Sequence, residues 1–355
     1  MRKKVFFILS SFSAGGAERV FWLLCQAFNK TKFDVTVILL NNQNNSFNLN
    51  LPDVRVISLN TVKSSKSFFP LLELVRREKP FAIYSTGGEI NFLVSLISNF
   101  INVPFLIARG TNIPEERYKY YSIKSKILSK IAVATFGNFN YIISQSEEML
   151  KSWTAKGIIS STKLVLIPNP VLKTAEEMIS KGLTDMKKLI IVARLSSVKG
   201  HDRLLDILAD LPGSYELTIA GGDGGERKNI ERKINVLGLS SRVNMVGEVD
   251  NPCKMISQHS ILVVSSYTEG FPNVVLEALS VGIPVVTFKV GGVANMIIED
   301  FNGYIVEQGD NENFKKCIVN ACNKRWDHDS IAKDVQRRFS IDKIVKQYEE
   351  LINIS

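Results

Sequence analysis

Residues 188–200 read KLIIVARLSSVKG and lead directly into HDRLLDILAD at 201–210. The apolar run at 188–193 predicts a buried strand, the polar turn after it closes on glycine, and 199–209 carries a helical pattern. The unit then repeats. Further strands are predicted at 216–220, 243–246, 261–264, 284–287 and 304–306, with helices near 225–237, 251–257, 273–281, 293–298 and 311–323. Continuous apolar strands separated by helices imply a parallel sheet covered on both faces.

The same rhythm occupies the upstream half. Strands are predicted at 5–9, 35–40, 54–59, 82–84, 105–108, 141–143 and 164–167, and helices near 17–29, 68–78, 89–99, 121–136 and 145–155. Pro168-Asn169-Pro170 breaks the pattern, because proline lacks a donor and restricts the residue before it. The expected organisation is an N-terminal domain at 1–168, a linker at 169–187, a second domain at 188–328 and a helical segment at 329–355 placed to return to the first domain. Both domains are α/β, Rossmann-like parallel sheets. Loops at the carboxyl ends of their strands should gather ligands in a cleft between them.

A chain of 355 residues with 45% hydrophobic content accommodates two such cores. Its four cysteines form no CxxC pair, and its three histidines, His201, His259 and His328, all lie beyond residue 200. This argues against a disulfide scaffold, a structural zinc site and histidine-based metal chemistry. The opening MRKK before Val5–Leu9 resembles a signal peptide, but its apolar run is short and enters SAGGAER, so a buried strand explains it better. The stretch 92–108 is interrupted by Asn99, Asn102 and Pro104 and is no clean membrane span.

Charge is uneven. Residues 1–168 hold 21 Lys/Arg against 10 Asp/Glu, a net +11, while the remainder is at −2. The basic half should meet something anionic. Residues 117–130 interleave Arg117, Lys119, Lys124, Lys126 and Lys130 with tyrosines and aliphatics and contain no acid. A helix lying on a membrane surface and a solvated helix packed on its own domain are equally good readings of that pattern.

Three clusters fall after strands of the second domain. In the first, Arg194 and Lys199 bracket a strand-to-helix turn, where Arg194 can fork across phosphate oxygens and Lys199 can offset charge on a leaving diphosphate. The second is Glu269-Gly270-Phe271-Pro272-Asn273-Val274-Val275-Leu276-Glu277. Carboxylates suit sugar and ribose hydroxyls, and backbone N–H groups near 272–275 could hold a diphosphate. The third is glycine: Gly221-Gly222-Asp223-Gly224-Gly225, then Gly291-Gly292, both permitting close approach of backbone to a ligand. Each cluster alone has an ordinary structural explanation as a surface cation, a helix carboxylate or a turn. No dinucleotide fingerprint or P-loop is present. In the first domain, Gly15, Gly16 and Glu18 open a helix after the first strand, and Arg109 and Asn112 follow the strand at 105–108 as candidates for an anionic acceptor.

The order of these elements resembles glycosyltransferase family 4, most strongly over 188–303: Ala193-Arg194-Leu195, Lys199-Gly200, the Gly221-Gly222-Asp223-Gly224 turn, and Glu269-Gly270-Phe271-Pro272-Asn273 followed by Glu277-Ala278. The opening GGAER is similar to that of bacterial members that build surface polysaccharides on lipid carriers. The resemblance implies a GT-B fold, two Rossmann-like domains facing a central cleft. It also implies a retaining transfer from a nucleotide sugar, UDP-linked by expectation, to a lipid-linked saccharide in O-antigen or capsule synthesis. Arg194 and Lys199 would contact the donor diphosphate, Glu277 the ribose and Glu269 the transferred sugar. Gly15 and Gly16 would line the reaction centre. No bound cofactor or metal is expected.

The chain departs from the family pattern twice. A histidine common in the first domain of family members is absent, leaving Arg109 or Asn112 to fill that region, and the late glycine loop continues Val293-Ala294-Asn295 where Pro-Glu is frequent. The implied protein is cytoplasmic, with a peripheral contact to the inner leaflet through its basic half and no nucleic-acid partner. A sugar-nucleotide epimerase and a noncatalytic membrane or nucleic-acid module are the alternatives. The first would convert its nucleotide sugar without an acceptor, and the second would leave the paired acids without a purpose.

Overall fold

The computed structural model describes residues 2–12, 15–41, 47–61, 64–110, 135–154, 160–174, 176–179 and 187–353. The chain forms two compact units, Met1–Pro170 with Ile341–Ser355, and Val171–Ser340.

The first unit is built on seven strands: β1 (Lys3–Leu9), β2 (Phe33–Leu39), β3 (Val54–Ser58), β4 (Ala82–Thr86), β5 (Phe105–Arg109), β6 (Tyr141–Ser144) and β7 (Leu164–Leu166). They lie in the order β3-β2-β1-β4-β5-β6-β7, every pair parallel. Alternation along β1 shows why both faces are dry: Val5, Phe7 and Leu9 enter one core, while Phe6 and Ile8 enter the other. The helices are α1 (Gly16–Ala27), α2 (Phe68–Glu78), α3 (Gly88–Ser98) and α4 (Glu147–Thr154).

The second unit has six strands: β8 (Lys187–Val192), β9 (Tyr215–Ala220), β10 (Val243–Gly247), β11 (Ile261–Val264), β12 (Val285–Phe288) and β13 (Gly303–Val306). Their order is β10-β9-β8-β11-β12-β13, again all parallel. On β8, Leu189 and Ile191 serve one core and Ile190 the other. Helices α5 (His201–Ala209), α6 (Arg227–Val236), α7 (Pro252–Ile256), α8 (Asn273–Ser280), α9 (Asn311–Asn323) and α10 (His328–Phe339) complete it.

The strand order positions the site. From β8 the chain winds outward through β9 and β10, then returns to place β11 on the other side of β8. Loops leaving β8 and β11 therefore diverge at the reversal point, where open α/β sheets bind ligands.

Three local expectations differ from the structure. The helix expected at 293–298 is a 3-10 turn at Gly291–Asn295, because two glycines and tight packing against the preceding loop leave no room for a regular helix. The terminal helix is interrupted at Ser340, giving α10 in the second unit and α11 (Ile341–Glu350) in the first. The chain passes between units at Pro170/Val171, and Val171, placed by the sequence in a linker, bridges to Ser340 and donates its N–H to the Phe339 carbonyl at 2.8 Å. The expected helix at 121–136 and the basic stretch 117–130 lie outside the described residues, apart from a 3-10 turn at Thr135–Asn138. Among the described residues, no helix is long and apolar enough to cross a membrane.

Candidate active site

The loop after β8 is tied to the glycine loop after β9. Leu195 bridges to Asp223, its N–H bonds to the Gly222 carbonyl at 2.9 Å, and its own carbonyl accepts from Gly224 and Glu226. Gly221 has φ 151°, and a methyl group there would overlap the Ala193 carbonyl, so the close approach of the two loops requires glycine. A side chain at Gly224 would likewise crowd the Arg194 stem, with Cγ at 2.9 Å. Arg194 is exposed, and its guanidinium has no carboxylate partner among the described residues. A side chain added at Gly222, also in this loop, would meet the Glu248 carboxylate at an ordinary contact distance.

The loop after β11 meets the same place from the other side. Lys199 Nζ donates to Glu269 Oε1 at 2.6 Å, and Ser266 Oγ donates to the same oxygen at 2.7 Å. Both side chains are largely enclosed, 25% and 14% exposed, so the pair is poorly screened. Read separately in the sequence, as a phosphate cation and a sugar carboxylate, the two form one ion pair. An ammonium has three donors and a carboxylate two oxygens. The pairing uses one of each and orients the rest.

Gly270 and the Gly291-Gly292 turn are in backbone contact: Gly292 N–H donates to the Gly270 carbonyl at 2.9 Å, and a methyl on Gly291 would overlap that carbonyl. Phe271 sits in the core and meets Phe339 edge-on, so it anchors the loop from beneath. Pro272 is the N-cap of α8 and lies one position before the first helical residue, Asn273, followed by Val274. Of the N–H groups expected to face a diphosphate, that of Val275 is bonded to the Pro272 carbonyl. Glu277 is not on a solvated face. It is buried on α8 beside Leu276, Ala278 and Leu279.

In the first unit, Gly15 caps α1, Gly16 begins it, and the Glu18 carboxylate folds back over Gly15. Arg109 is a correction. The sequence placed it in a loop, whereas it ends β5, is 3% exposed, and donates to Asn169 Oδ1 at 2.6 Å and Thr86 Oγ1 at 3.3 Å. Burial lowers its pKa from the usual arginine value, opposed by the neighbouring Tyr348 and Glu18. The strand end and these two partners hold it inside the unit rather than in the loop. Asn112 lies outside the described residues.

Motif reading missed Arg203, Ser266 and Gln308, which organise the loop carrying Glu269. The available signal was a cation at Arg203 on the apolar stripe that runs through Leu204, Ile207 and Leu208 of α5. Among the described residues, no group of three or more His, Cys, Asp or Glu is placed to hold a metal ion.

Residues 174–338 match the family model for glycosyl transferases group 1. That span contains Arg194, Lys199, Glu269 and Glu277, with the loops just described. The chain is a glycosyltransferase. Over its length the enzyme is 25% identical to the Campylobacter jejuni N-acetylgalactosamine-N,N'-diacetylbacillosaminyl-diphospho-undecaprenol 4-alpha-N-acetylgalactosaminyltransferase, the match covering 88% of this chain and 87% of that one. It is 24% identical to the Staphylococcus aureus capsular polysaccharide biosynthesis glycosyltransferase CapM, over 81% and 80%. Its fold superposes on Anabaena Alr3699/HepE, solved in complex with UDP and glucose, with a TM-score of 0.81, 21% identity and full coverage of both chains. The glycosyltransferase therefore has the GT-B fold and resembles bacterial enzymes of surface-polysaccharide synthesis.

The glycosyltransferase also buries His201 beside the site. It is 2% exposed, and neither ring nitrogen has a hydrogen-bond partner among the described residues. Burial, reinforced by Lys199, lowers its pKa from 6.5 to about 4. Between those values only the unfolded chain takes up this proton, so His201 carries no proton-linked penalty above pH 6.5 and costs the fold stability as pH falls toward 4. The loss should approach about 3 kcal/mol. Urea midpoints measured across this range should fall more steeply for the wild type than for His201→Leu. Equal slopes would contradict the assignment.

Proposed function

We propose that this glycosyltransferase is a retaining, family 4 enzyme that moves a hexose or N-acetylhexosamine from a UDP-sugar to a lipid-linked saccharide during O-antigen or capsule assembly. The observation that carries this reading is the Lys199–Glu269 pair at 2.6 Å on the two loops flanking the strand reversal. Arg194 stands exposed on the same loop as Lys199, and Glu277 lies on the helix that follows Glu269. The nucleotide in the superposed structure and the lipid diphosphate in the Campylobacter enzyme's name support the choice of donor and acceptor.

Each side chain then has a task. Glu269 accepts from Lys199 on Oε1 and offers Oε2 to a hydroxyl of the transferred sugar. Lys199 and Arg194 stabilise the departing diphosphate, Arg194 by forking across two oxygens. Glu277 holds the ribose hydroxyls. The bond between the anomeric carbon and the diphosphate oxygen breaks as the acceptor oxygen bonds to that carbon from the same face. The acceptor proton passes to the departing phosphate oxygen. Charge stabilisation thus comes from side chains and backbone, with no metal ion required by the mechanism.

The net +11 of residues 1–168 supports acceptor recognition by the first unit and contact with an anionic inner-leaflet surface from the cytoplasm. The test is incorporation of label from UDP-, GDP- and ADP-sugars into lipid-linked acceptors. UDP-sugar-dependent labelling of the lipid fraction is expected. Folded protein that converts a nucleotide sugar without labelling any acceptor would overturn the proposal in favour of an isomerase.

A further inference from the structure

Arg203 lies outside every motif of the site, yet it is the cation most completely engaged with the site's framework. It is 6% exposed on α5. Its Nε donates to the Ser265 carbonyl at 2.6 Å, Nη2 to the Ser266 carbonyl at 2.5 Å, and Nη1 to Gln308 Oε1 at 2.8 Å. The guanidinium also stacks on Phe288 and Tyr267, 3.8 Å and 4.1 Å from their ring centroids. An arginine is buried at great cost unless its donors are filled. Here two of the bonds go to carbonyls of the loop that leads to Glu269, and a third goes to Gln308.

The consequences of that bracing reach both partners of the ion pair. Ser266 Oγ donates to Glu269 Oε1 at 2.7 Å, and Ser265 Oγ donates to the Lys199 carbonyl at 3.1 Å. Gln308 Nε2 holds the Ser266 carbonyl a second time, at 3.1 Å. A planar fork fixed by two aromatic faces sets the direction of both carbonyls at once, which a lysine's single ammonium cannot do.

We propose that Arg203 is a positioning residue for glycosyl transfer, fixing the Ser265–Ser266 backbone and through it the Glu269 carboxylate. This rests on the reading that Glu269 contacts the transferred sugar. The bracing acts on orientation, so its loss lowers turnover while leaving most of donor binding in place, because a displacement of about 1 Å can cost about 10²-fold in rate.

The experiment measures kcat, donor KM and thermal stability for Arg203→Met, Arg203→Lys, Glu269→Gln and the double variant Arg203→Met/Glu269→Gln. Arg203→Met should lower kcat about 10- to 100-fold with donor KM within about threefold of wild type. Arg203→Lys should recover part of the loss. The double variant should be about as slow as Glu269→Gln alone, since both substitutions act through one carboxylate. Effects that multiply, or a loss explained wholly by the folded fraction, would overturn the positioning role while leaving Glu269 in place. Wild-type turnover in Glu269→Gln would overturn the reading of Glu269 and this proposal with it. If Arg203→Met does not fold, Gln308→Leu removes from the surface the second donor on the Ser266 carbonyl and the Arg203 Nη1 partner. It should lower kcat about threefold or more, and an unchanged kcat would count against the proposal.

Discussion

Lys199→Ala should lower kcat by about 10²- to 10³-fold, the range seen when one preorganised group facing developing charge is removed. The effect has two sources. The substitution removes the cation proposed to offset charge on the departing diphosphate. It also leaves Glu269, 14% exposed at the side chain, without its 2.6 Å ion-pair partner in a poorly screened position. Lys199→Arg keeps the charge but replaces a compact ammonium with a planar fork, so it should recover only part of the rate. Steady-state kinetics with a saturating acceptor check this. A Lys199→Ala enzyme within about threefold of wild type would show that the charge at this position does not act on the reacting bond.

Tyr348→Ala should destabilise the first unit by about 3–5 kcal/mol, as large-to-small substitutions at fully buried aromatics do. Tyr348 is 0% exposed on α11, more than 200 residues after the strand it packs against. Its ring lies 5.6 Å from that of Tyr84 on β4, and its carbonyl accepts from the Tyr84 hydroxyl at 2.5 Å. Ile344, Val345 and Ile352 join it in the core that contains Phe7, Phe21 and Phe28. Asn29 N–H adds a 2.7 Å bond to Glu349. The terminal segment is therefore part of the first unit's core. Urea unfolding followed by fluorescence of Trp22 and Trp153 should show the shift, while a change under about 1 kcal/mol would mean α11 merely lies on the surface.

Much of the architecture was legible because parallel strands buried on both faces must be apolar throughout. Ile261–Val264 is a case where predicted and observed bounds coincide. The break at Ser340 was less legible, since the residues on both sides favour helix and only tertiary packing assigns α10 and α11 to different units. The site divides similarly. Lys199 and Glu269 could be named from their loops, but their direct pairing depends on β8 and β11 being neighbours, which sequence order does not state. Arg109 was misplaced because a cation ending an apolar run reads as a loop residue, whereas Asn169 and Thr86 supply its partners inside the unit. Arg203 went unread because its partners are backbone carbonyls of Ser265 and Ser266, which no side-chain motif records.

The most direct measurement is a crystal structure of the enzyme with an intact UDP-sugar. Arg194 and Lys199 should lie within hydrogen-bonding distance of the diphosphate, Glu277 should hold the ribose, and Glu269 Oε2 should meet a hydroxyl of the sugar. A nucleotide bound away from the loops after β8 and β11, with the Lys199–Glu269 pair facing no part of it, would contradict the account.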